Sequence, residues 1–114
     1  MLVSDILSTV RPWINDTAAT YRWSDTELLA FANLGQTELF GRHPELFSLT
    51  ALPSAKPADY TAVGDTITAH DSTRAAWAHY IAWAAYMEDT DDTGNAALAT
   101  AHWDNMLRAL GDVQ

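Results

Sequence analysis

Ser72-Thr73-Arg74-Ala75-Ala76-Trp77-Ala78-His79-Tyr80-Ile81-Ala82-Trp83-Ala84-Ala85-Tyr86-Met87-Glu88 is the stretch whose reading decides the fold. Alanine dominates it and neither glycine nor proline interrupts it, so a helix over about 72–88 is expected, with Asp71 or Ser72 as its cap. Its apolar residues do not keep to one stripe. Ala75, Ala76, Trp77, Ala78, Tyr80, Ile81, Ala82, Trp83, Ala84, Ala85, Tyr86 and Met87 surround the axis. A helix that is apolar on all sides has to be buried on all sides. One small domain rarely manages that alone, so a second chain is expected to complete the burial.

Outward from this helix, three more segments show helical periodicity. Toward the C-terminus, Asp89 to Asn95 reads as an acidic turn, and Ala96, Ala99, Trp103, Met106 and Leu110 follow at spacings of three and four. That stripe predicts a helix packed antiparallel on the preceding one, closed by Gly111. Toward the N-terminus, Ser24-Asp25-Thr26-Glu27 is a capping box, with Trp23 placed to staple onto Leu28. Leu28, Ala32, Gly35 and Leu39 give the core face of that helix, and Gly35 at mid-helix implies close approach by a neighbour. Arg42-His43-Pro44 ends it. The first helix is expected to start at Ser4, carry Val3, Ile6, Val10 and Trp13 on one side, and end or bend near Arg11, because Pro12 lacks a donor.

Between the second and third helices, residues 45–70 have no helical period. Phe47, Leu49 and Ala51 alternate with Ser48 and Thr50, and Val63 to Thr68 is a partner for a short hairpin. The expectation is therefore an all-α fold: one domain over residues 1–114, a small four-helix bundle with a long central loop or short β-hairpin at about 45–70, and a tail at 111–114. A connection this long in a compact domain is usually functional.

Composition narrows the function. The chain has 114 residues, 48% hydrophobic and 18% charged, which is globular and not disordered. Fifteen acidic residues against six basic ones leave a net charge of −9, which argues against gripping nucleic acid through its phosphates. Cysteine is absent, so thiol nucleophiles, disulfides and cysteine-based zinc sites are excluded. No stretch approaches the ~20 apolar residues of a membrane span. Met1-Leu2-Val3-Ser4-Asp5 lacks the basic start and apolar run of a signal peptide, so the expected compartment is the inside of a cell.

The search for chemistry yields little. Asp89-x-Asp91-x-Thr93-Gly94 copies the first half of a calcium loop, but Thr100 stands where the bidentate Glu belongs. Among His43, His70, His79 and His102, no two share a helical turn. His79 and His102 meet only if the third and fourth helices pack antiparallel. No phosphate loop or nucleophile motif is present. The expectation is no catalytic residue, no cofactor, no metal and no enzyme. Five tryptophans, Trp13, Trp23, Trp77, Trp83 and Trp103, are the notable surplus. Trp23, Trp77, Trp83 and Trp103 are read as core or inter-subunit anchors.

At Arg22-Trp23-Ser24-Asp25-Thr26-Glu27-Leu28-Leu29, with Asn33 and Gln36 following, the chain resembles the head-to-tail connector (adaptor) proteins of tailed bacteriophages. Asp65 to Thr68, Arg74, His79-Tyr80, Ala84-Ala85-Tyr86, Glu88-Asp89 and Gly94-Asn95-Ala96-Ala97 extend the resemblance over nearly the whole chain. Many relatives carry a longer β-rich insertion where this chain has only residues 45–70. The resemblance implies a helical protein that forms a ring, usually of twelve copies, beneath the portal in the virion neck after synthesis in the host cytoplasm. The implied partners are the portal protein, a tail or nozzle protein, further copies of itself, and double-stranded DNA passing through the lumen without specific binding. No membrane is implied.

The central loop and tail have too few periodic apolar residues to pack on their own subunit, which makes Phe47, Leu49 and Tyr60 candidates for contact with a neighbour or the tail. Similar adaptors dock C-terminal segments into portal clefts, which implies Leu110 and Val113 as portal contacts. A neck or tail-completion protein is the near alternative. An acidic regulatory module, such as an anti-repressor or DNA mimic, is the alternative of another class.

Overall fold

The structure, a computed structural model, describes residues 1–16, 23–47, 56–88 and 93–111. Among these residues there are four helices and no strand: α1 (Val3–Trp13), α2 (Asp25–Arg42), α3 (Arg74–Met87) and α4 (Thr93–Leu110). The fold class is all-α. α3 lies in the middle, with α1, α2 and α4 each packed against it, in a slab of 43 × 35 × 18 Å. α3 and α4 run in opposite directions, since Glu88 and Thr93 lie next to the same short connection while His79 meets His102 far from it.

α2 forms as its sequence dictates. Glu27 N donates to Ser24 Oγ at 3.1 Å and Ser24 N donates to Glu27 Oε1 at 3.3 Å, which closes the capping box. Leu28, Ala32, Gly35 and Leu39 are all buried. A Cβ on Gly35 would stand 3.0 Å from both Trp77 Nε1 and Tyr80 Cδ1, so the missing side chain is what lets α3 approach. Trp23 packs edge-on against Phe31 at 5.7 Å, where Leu28 was the expected partner.

α1 begins at Val3 with Leu2 as its cap residue, and not at Ser4. The reason lies far along the chain. Val3 N donates to Asp65 O and Ser4 N to Val63 O, while Ile67 N donates to Met1 O, so the first free helical amides are already satisfied. Leu2 N donates to Asp5 Oδ2 at 2.8 Å. The helix continues through Pro12 to Trp13. It stops at Asn15, whose φ of 55° lies in the left-handed region. Asp16 N donates to Arg11 O and Asn15 N to Pro12 O, the two bonds of a Schellman ending.

The central segment departs from expectation. Its piece at 63–67 pairs with the N-terminus, Leu2 opposite Thr66; the other half of the expected hairpin, residues 48–51, lies outside the described residues. His70 N donates to Leu46 O at 2.8 Å and closes the segment at its neck. Phe47, Tyr60, Ile67 and Ala69 are buried in the core of this same chain. The expectation that these residues cannot pack on their own subunit is therefore corrected.

α3 buries Ala76, Trp77, Ala78, Tyr80, Ile81, Ala82, Ala84 and Ala85 within one chain, while Ala75 and Met87 are exposed and Trp83 and Tyr86 half-buried. The cover that helix counting missed comes from the central segment: the Phe47 and Tyr60 rings both lie 6.1 Å from the Trp77 ring. α3 also starts at Arg74, after a 3-10 turn (Asp71–Thr73) whose capping group is the His70 ring, accepting from Ser72 N at 3.1 Å. The expected caps, Asp71 and Ser72, are inside that turn.

Candidate functional site

The residues expected to meet partners do not share one patch. Phe47 and Tyr60 are core residues, 7% and 8% exposed, and are withdrawn as free contact residues. Leu49 and Val113 lie outside the described residues. Leu110 is half-buried against the core. Of the tryptophan anchors, Trp77 is fully buried and its Nε1 donates to Ala32 O at 3.0 Å. Trp23, Trp83 and Trp103 are half-buried on the outside of the core.

Two polar residues of α2 hold the central segment. Asn33 and Gln36, one helical turn apart, face the same way. Asn33 Nδ2 donates to Tyr60 O at 3.0 Å and Asn33 Oδ1 accepts from Tyr60 N at 2.7 Å. Gln36 Nε2 donates to Pro57 O at 3.1 Å and Ala58 O at 3.3 Å. Together they replace strand pairing for residues 57–60. Gln36 Oε1 and Tyr60 Oη remain buried with no hydrogen-bond partner among the described residues. Burial, with Asp65 nearby, pushes the Tyr60 phenol up to about 12.

The seam between α3 and α4 is aromatic. Trp83 and Trp103 lie 4.8 Å apart, with Tyr80 against both. The Arg42 guanidinium caps Trp103 at 5.5 Å while its Nε donates to Glu38. Farther along, His79 and His102 meet, with Nδ1 atoms 2.9 Å apart. Trp13 of α1 stacks on both imidazoles at 4.5 and 5.7 Å, and Tyr86 stacks on His102 at 5.8 Å. Tyr86 Oη donates to Trp13 O at 2.9 Å and ties the cluster together. Burial pulls both histidines below their ordinary value, and His102 lowers His79 further. The sequence named this pair conditionally; Trp13 and Tyr86 as its walls were missed, although Tyr86 stands seven residues from His79 on the same helix face.

The junction of α1 with α2 was also missed. Arg11, buried, donates to Asp16 Oδ2 at 2.9 Å, to Trp23 O at 2.9 Å and to Asp25 Oδ1 at 2.7 Å. A cleft of about 230 Å³ beside it is lined by Ser4, Leu7, Ser8, Arg11, Asp25 and Val63. Arg11 is already bonded to two carboxylates, so its guanidinium is not free to hold an anionic ligand in the cleft. No group of three metal-ligating side chains occurs among the described residues. The calcium-loop reading fails on geometry, because Thr93 and Gly94 belong to α4. No helix among the described residues is long and apolar enough to cross a membrane. Among the described residues, Leu34 on α2, Met87 at the end of α3 and Leu98 on α4 are the large apolar side chains most exposed on the helices, at 57%, 46% and 45%. Set against family models, curated proteins and solved structures, the chain matches none of them.

Proposed function

We propose that this chain is a non-enzymatic structural subunit of a tailed-phage neck, a head-to-tail adaptor that rings the DNA channel between portal and tail. In this reading it is a small four-helix bundle with a long central connection. The observation that carries the reading is the use made of Asn33 and Gln36. These two polar residues of the resemblance grip residues 57–60 through four hydrogen bonds, a task that depends on their interval of three. The capping box at Ser24 and Glu27 supports the same reading. A net charge of −9 suits a lumen through which phosphates slide without sticking. Portal and tail or nozzle proteins would be the partners, and the virion the final location. A neck or tail-completion role would place the same subunit at the tail end.

A second reading has an observation of its own. α3 is largely buried within one chain, so the fold does not demand a ring, and an acidic regulatory module working as a monomer or dimer would use the charge itself. Electron microscopy and mass photometry of the protein, alone and mixed with portal rings, separate the two. The adaptor reading predicts a ring, either free or assembled on the portal. Removing residues 111–114 should weaken that attachment with helical content unchanged. A protein that neither self-associates nor binds a portal would leave the acidic module standing.

A further inference from the structure

We propose that the His79–His102 pair is an acid-sensitive latch: neutral, it pins α4 to α3, and protonation of both rings releases α4. An Nδ1–Nδ1 hydrogen bond of 2.9 Å requires one ring to carry its proton on Nδ1 and the other to present a bare Nδ1. One shared proton more still permits a bond. Two charged rings leave two donors facing each other with no acceptor between them, and like charges at contact distance.

Among the described residues no carboxylate pairs with either ring, and the groups stacked on them are aromatic faces. From α1 the facing group is Trp13, and from α3 it is Tyr86, whose phenol burial pushes up and keeps neutral. One turn away on each helix stand Ala75, Ala76, Ala82 and Trp83 around His79, and Leu98, Ala99, Asn105 and Met106 around His102. The charged groups of the three helices are turned elsewhere: Asp5 accepts from Leu2 N, Arg11 holds Asp16 and Asp25, and Arg74 donates to Thr9 and Asp5 O. Asp104 and Arg108 are exposed, and neither imidazole makes an ion pair among the described residues.

The position gives the pair leverage. Among the described side chains of α4, Ala99 and Met106 are buried and Trp103, Leu107 and Leu110 are half-buried against the core; the imidazole contact lies between the two buried ones, at the middle of the α3–α4 seam. Both rings bind protons less readily in the folded chain than when free. The latch is therefore fully closed above the ordinary histidine value of ~6.5 and opens as pH falls below it, through the depressed midpoints. It works in the chain whether or not the chain joins a ring.

The test uses the full-length protein, nitrogen-15 imidazole spectra and amide exchange corrected for intrinsic rates, from about pH 8 to about pH 4. At the upper end one ring should be the Nδ1–H tautomer and the other Nε2–H. Both midpoints should fall below ~6.5, and α4 amides should lose about tenfold in protection for each unit of depression. In the double variant His79→Gln, His102→Gln, α4 protection should become flat over the same range. Two Nε2–H tautomers at neutral pH, or titration at the ordinary value with α4 protection unchanged, would overturn the latch. Should the glutamine variant fail to fold, the tautomers and midpoints of the natural chain still decide.

Discussion

α3 and α4 are neighbours held in opposite ways. α3 buries eight of its 14 residues and touches every other helix. α4 is longer, at 18 residues, yet buries only Ala99 and Met106 and packs almost wholly on α3. The difference comes from position and residue size. α3 has α1, α2, α4 and the central segment around it, and all of its alanines but Ala75 are buried against them. α4 has one covered face, and in its first turns that face is built from alanine, which removes little area from water. The helix that is apolar all round is largely buried within its own chain, and the helix with the cleaner stripe is the lightly held one.

Substitutions that break this contrast should differ in size. Trp77→Ala removes the largest fully buried side chain and its bond to Ala32 O, and should cost about 3–5 kcal/mol. The loss should be felt by the whole chain at once, since α2 and the central segment lose their common wall. Met106→Ala should cost about 2–3 kcal/mol and show first as loss of α4. Urea unfolding followed by far-ultraviolet circular dichroism measures both, and equal costs would erase the distinction drawn between the helices.

Smallest is Ser24→Ala, expected to cost about 1 kcal/mol. It lies at the exposed start of α2, away from the α3–α4 seam, and so should leave the relative order of helix stabilities unchanged. A loss above about 2 kcal/mol would mean that the cap also supports the Arg11 junction next to it.

Much of this was legible in local pattern, and the rest was not for identifiable reasons. α2 could be read whole, because its cap, its stripe and Gly35 are all local signals that tertiary structure kept. The start of α1 could not, because its amides are satisfied by Val63 and Asp65 carbonyls some sixty residues away, and no cap residue is then required. Its end at Asn15 carried a signal, an asparagine after the last periodic residue, which is a known helix terminator. Phe47 and Tyr60 were misjudged because periodicity detects helices and strands, whereas these two reach the core from irregular chain held by Asn33, Gln36 and the His70–Leu46 bond. The histidine pair was legible only through the antiparallel packing of its helices. Trp13 entered it from a third helix that no spacing rule connects to the other two.

Native-state amide exchange at about pH 7.5 tests the central contrast most directly. α3 amides should exchange only through global unfolding, at the full stability of the chain. α4 amides should exchange through a smaller opening, at least about tenfold more often, with α1, α2 and α3 still protected. Exchange of α3 and α4 at one common free energy would contradict it, since α4 would then be as firmly built into the core as the helix at its centre.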